Sequence, residues 1–214
     1  MVKPAFSKQT WQMLGDYVGI GKQKKSDAIT DLDSLASFID SRASHVAQTS
    51  LYGYLRTRAG TKYPQLFENP DILQSINMAK WHIWMACVSD LTVFIGQLAS
   101  QASIQQDQIT AMMSSCLDKI LQQTGLPAEA GEDFQNSIDR LNQRVHSYDW
   151  SKQRDDDSVF SQSPEALYYW SPIAAELKES DEEIVRNSIR FRWIDVRRHS
   201  RRLLNVEALF RVNA

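Results

Sequence analysis

Wound as a helix, the segment from Leu73 to Leu98 has apolar residues pointing in nearly every direction. Leu73, Ile76, Trp81, Ile83, Trp84, Met85, Val88, Leu91, Val93, Phe94, Ile95 and Leu98 leave it no polar face. A helix that is apolar all round has to be enclosed all round. Asp90 lies in its middle and Lys80 just before it, and a membrane span needs a cleaner run. The segment is therefore read as the buried central helix of a soluble fold, with no transmembrane segment expected. Pro70 suits the first helical position and Asp71 the positive helix end, so the helix is placed from Pro70 to about Ser100.

Other segments of helical period surround it. Trp11, Leu14, Tyr17 and Val18 make one face of a segment from Ser7 to Val18, followed by glycines and the Lys22 to Lys25 cluster. Leu32, Leu35, Ile39 and Val46 share a narrow arc in a segment from Thr30 or Asp31 to about Ala59, where Gly60 stops it. A fourth segment runs from Ser103 to Thr124, closed by Gly125 and Pro127. A fifth covers roughly 128–146, with Phe134, Ile138, Leu141 and Val145 spaced by four, three and four. The stretch 147–163 is polar and includes Asp155, Asp156 and Asp157, without the alternating ligands of an EF-hand. Residues 164–169 suggest a short helix. Ser180 and Glu183 have the spacing of a capping box for a last helix reaching about Leu204.

The expectation is an all-α single helical bundle of about six helices with an Arg-rich C-terminal helix. Its parts are an N-terminal helix and basic link (1–25), a central bundle (26–146), a polar linker (147–163) and a C-terminal helical segment (164–214). Composition agrees: 214 residues, 43% hydrophobic and 23% charged, support a full core, and eight Gly and six Pro supply few turns for a sheet sandwich. Cys87 and Cys116 lie in apolar helical patterns, so both are expected as reduced core residues. With no apolar leader at residues 1–8, the expected location is cytoplasmic.

Two constellations stand out. Arg42, His45, Thr49, Tyr52 and Arg56 line one edge of the second segment. Asp90 and His82 sit on the central helix. A buried carboxylate is too costly to leave unpaired, and Arg42 or Arg56 is the expected partner. The favoured reading is a polar network that sets helix register. The alternative is a ligand or enzyme pocket of Arg42, His45, Thr49, Tyr52, Arg56 and Asp90, with His45, His82 and Asp90 as weak catalytic candidates.

The second constellation is the last helix. The net charge of −2 hides eight Arg between 186 and 211 against Asp195 and Glu207, a local +6 that leaves −8 elsewhere. Val185, Ile189, Trp193, Val196, Leu203 and Leu204 form one arc, flanked by Arg186, Arg190, Arg197 and Arg201. Arg190 and Arg197 lie within reach of the Trp193 ring. Ile184, Phe191 and Ile194 fall on other faces, more apolar surface than one contact covers. Partner binding is assigned to Arg186, Arg190, Trp193, Arg197 and Arg201, and removal of 180–214 is expected to leave a folded body.

The G-x-S-x-G elbow, the H-E-x-x-H helix and the Glu-x-x-His pair are missing. No metal and no cofactor are expected. The leading expectation is a non-enzymatic scaffold contacting a protein partner or itself. Nucleic acid or an anionic membrane ranks lower, because a pI near 6.1 is far from that of a dedicated nucleic-acid domain.

Overall fold

The computed structural model describes residues 28–152 and 157–211; the helix and basic link expected within 1–25 lie outside them. Seven α-helices run through the described residues: α1 Leu32–Ala59, α2 Pro70–Gln101, α3 Gln106–Thr124, α4 Phe134–Ser147, α5 Gln162–Trp170, α6 Ala175–Leu203 and α7 Val206–Arg211. Short 3-10 turns cover Gly60–Phe67, Ala128–Ala130 and Asp157–Val159. Among the described residues the β-type pairing is a single parallel bridge between Ile29 and Leu204. The chain is an all-α bundle.

Local chemistry sets the helix starts. Asp31 accepts a hydrogen bond from the Ser34 backbone N–H, and Ser34 Oγ accepts one from the Asp31 N–H, a reciprocal cap for α1. Asn69 does the same work for α2 through the N–H groups of Asp71 and Ile72, with Pro70 in the first turn. At the end of α3, Gly125 takes a positive φ of 71° that side-chain-bearing residues resist.

α2 is the axis of the bundle. Every residue from Cys87 to Gln97 is buried, and α1, α3, α4 and α5 pack around the helix. It is long and apolar enough to cross a membrane, yet 83% of its most apolar window is buried inside the fold. α4 buries Phe134, Ile138, Leu141 and Val145, the four residues whose spacing marks its inner face.

Three features differ from expectation. The stretch 147–163 is not a free linker where it is described. Trp150 is 1% exposed and lies over Gly96, where any Cβ would overlap its ring; its indole N–H donates to Thr110 Oγ1 at 2.9 Å. Val159 and Phe160 are buried as well, the latter beside Phe94 and Trp193.

α6 also begins at Ala175, not at Ser180. Ser180 is already inside the helix and its hydroxyl donates to the Leu177 carbonyl, so the capping-box spacing closes no cap. Pro172 ends the preceding turn early enough for the acidic run from Glu176 to start the helix near its positive end.

Finally, α6 is part of the core. It packs on α5 and α1, burying Val185, Ile189, Trp193, Val196, Ser200 and Leu203. Stripping a buried Trp alone costs about 3–5 kcal/mol, so residues 180–214 are not a dispensable appendage.

Candidate functional site

Asp90 is fully buried, and its partner is Arg144 on α4 rather than Arg42 or Arg56 on α1. The guanidinium Nη1 donates to Asp90 Oδ1 at 2.7 Å and to Ser89 Oγ at 2.8 Å, while Nη2 donates to the Val159 carbonyl at 2.7 Å. Asp90 also accepts the backbone N–H groups of Gln162 and Ser163 at 3.1 and 2.8 Å. Those N–H groups open α5, so Asp90 is a helix N-cap reaching in from a distant part of the chain. Burial pushes its carboxyl above the usual range, against the lowering pull of Arg144 and Ser163. With its oxygens engaged this way, the carboxylate ties α2, α4 and α5 together and leaves no lone pair aimed at an open cavity.

His82 is 2% exposed. Its Nε2 can only donate to the Ala130 carbonyl at 3.1 Å, so in the neutral ring Nδ1 accepts from the Ser137 hydroxyl at 2.9 Å. The ring stacks on Trp170 with centroids 3.6 Å apart. Burial lowers its pKa, outweighing the Ala130 bond and Asp133. Both nitrogens are occupied by the fold.

The α1 stripe stays together but does not meet His82 or Asp90. Arg42 lies over the Phe38 ring at 5.5 Å and Arg56 over Tyr63 at 5.8 Å. The Thr49 hydroxyl donates back to the His45 carbonyl. Burial lifts the Tyr52 hydroxyl to about 12, beyond proton transfer at neutral pH. His45 is exposed, yet its pKa is lowered by desolvation and then by the charges of Arg42 and Arg192. The pocket grouping drawn from the sequence therefore separates into two sets: Asp90 with Arg144, and the α1 stripe, whose Tyr52 and Arg56 pack on Phe67 and Tyr63 of the 3-10 turn Gly60–Phe67.

An open groove of about 510 Å³ does border His82, with Arg140, Tyr168, Trp170 and Arg186 among its lining. Arg186 is already committed there, bridging Glu165 on α5 and Glu182 one turn earlier and lying over the Tyr168 ring at 5.1 Å.

On α6 the expected contact residues divide between two faces. Trp193 is buried, donating its indole N–H to Ser163 Oγ at 3.0 Å with its ring 4.7 Å from Phe160. Arg197 and Arg201 lie over Phe94, at 5.9 and 5.3 Å, not over Trp193. Arg190 is exposed and donates to Asn187 Oδ1. On the opposite side, Leu177, Ile184, Phe191 and Ile194 are 44%, 72%, 70% and 47% exposed. Within the described residues the other large exposed apolar side chains are Leu126 and Tyr169. Four of six thus fall on one helix, along one line.

The chain matches no family model, and no curated protein and no solved structure is significantly similar to it. Its function is argued from its own residues.

Sequence reasoning missed Arg144 and Leu177. Arg144 sits beside Val145 at the flank of the α4 apolar arc, a weak mark of an inward-reaching cation. Leu177 was hidden because α6 was started at Ser180; one turn more of helix puts it in line with Ile184.

Proposed function

We propose that this chain is a non-enzymatic helical interaction module, cytoplasmic, that docks a protein through the outward ridge of α6. The observation that carries the reading is the line of Leu177, Ile184, Phe191 and Ile194, exposed on a helix whose opposite side is locked into the core. Large apolar side chains scattered singly over a surface need no explanation, but an aligned set on a rigid element is the usual form of a helix-mediated contact. The contact residues are therefore moved from Trp193 to the ridge, with Arg190 on its flank.

The pocket reading ranks second. The groove beside His82 supports it, but His82 has both nitrogens occupied and Arg186 is held by two glutamates, leaving few free groups to converge on a ligand. Phosphate-rich partners rank third: Arg186, Arg198 and Arg211 pair with carboxylates, and Arg197 and Arg201 cover Phe94.

The test immobilises the full chain and its Phe191→Glu variant in native extract and compares the bound proteins. The reading expects a specific protein or a second copy on the parent chain that is lost from the variant, with helicity unchanged. Equal binding by both would remove the ridge from consideration.

A further inference from the structure

We infer that the α6 ridge pairs with the same ridge of a second copy of this chain, running antiparallel. This rests on the reading of the ridge as a contact surface and names its occupant. Leu177, Ile184 and Phe191 are seven residues apart, and Ile194 follows Phe191 by three. Those are the intervals of a coiled-coil seam, in which positions three, four and seven apart meet a facing helix. An α-helix drifts by about 20° per seven residues, a drift that a left-handed supercoil removes. α6 has 29 residues, long enough at about 1.5 Å per residue to span several such turns.

Charge selects the occupant. Beside the ridge, Glu176, Glu179 and Glu183 are exposed in the first half of α6 and Arg190 and Arg202 in the second, where Arg198 is paired with Asp195. That order suits the helix dipole and by itself names no partner. Taken with the seam it discriminates. A parallel copy sets glutamates on glutamates and arginines on arginines. An antiparallel copy sets the acidic half of each helix against the basic half of the other. Such a contact is isologous, the self-complementary form that two-fold dimers require.

The register follows. With Glu183 facing Arg190 of the second copy, the two-fold axis passes beside Arg186 and Asn187, and Leu177 comes within two residues' rise, about 3 Å, of the level of Ile194 of the second copy. The face opposite the ridge stays on α5 and α1, so pairing needs no rearrangement of the bundle.

Sedimentation equilibrium of the full chain tests this, with Phe191→Glu, Glu183→Arg, Arg190→Glu and the combined Glu183→Arg/Arg190→Glu variant. A dimer is expected. Phe191→Glu raises its dissociation constant roughly tenfold or more, each single charge reversal weakens it, and the combined reversal restores it. If Phe191→Glu does not fold, Phe191→Ser carries the same comparison. A chain that stays monomeric at high micromolar concentration overturns the inference, whatever then covers the ridge. So does a combined reversal no better than the single ones. A monomer that loses a co-purifying protein on Phe191→Glu refutes self-pairing and keeps the ridge as a docking surface. A dimer indifferent to Phe191 refutes both.

Discussion

Asp90 illustrates what one residue does in this fold. Its position in an apolar helix announces a buried charge, and buried charge announces a partner. Which partner was not legible, because Arg42, Arg56 and Arg144 differ only in which helix abuts Asp90, a property of packing and not of local pattern. The structure selects Arg144 and adds the α5 N-terminus. Asp90→Ala strands the Arg144 guanidinium and uncaps α5, and such removal of one buried partner costs about 3–5 kcal/mol. Chemical denaturation measures it; a loss within experimental error would mean that the carboxylate is not what joins these helices. Trp150 was illegible for a similar reason. It lies in a mostly polar stretch without helical period, and its seat exists because residue 96 has no side chain.

At the scale of elements, periodicity performed well where one face is buried and the other is wet. The α4 arc and the inner arc of α6 were read correctly from spacing, since the core favours one side of a helix at 3.6 residues per turn. Starts were less legible: Ser180 and Glu183 have capping chemistry but lie inside α6, because cap residues are also ordinary residues of an exposed helix face. The 3-10 turn Ala128–Ala130 is pinned to α2 by His82, and this makes a pH prediction. The His82 pKa is lowered in the folded chain by burial, with Arg140 lowering and Asp133 raising it. Its contribution is therefore complete above the unfolded histidine value of about 6.5 and is lost as pH falls through the lower folded value. The drop in melting temperature between about pH 7.5 and 5.5 should be smaller in His82→Gln than in the parent chain. An equal drop in both would assign the acid sensitivity elsewhere.

Over the whole molecule, the sequence was most informative about architecture and least about contact surfaces. A helix apolar on every side required neighbours on every side, and α1, α3, α4 and α5 supply them. The outer ridge of α6 could be noticed as surplus apolar surface, but deciding which of its residues stay outside depends on where α6 rests on α5 and α1. That division between an inner face in the core and an outer face left for a partner is the central claim. It is tested most directly by unfolding Trp193→Ala and Phe191→Ala side by side in denaturant, at concentrations too low for association. Trp193→Ala should lose about 3–5 kcal/mol and Phe191→Ala no more than about 0.5 kcal/mol. Comparable losses at both positions would contradict the two-faced account of α6.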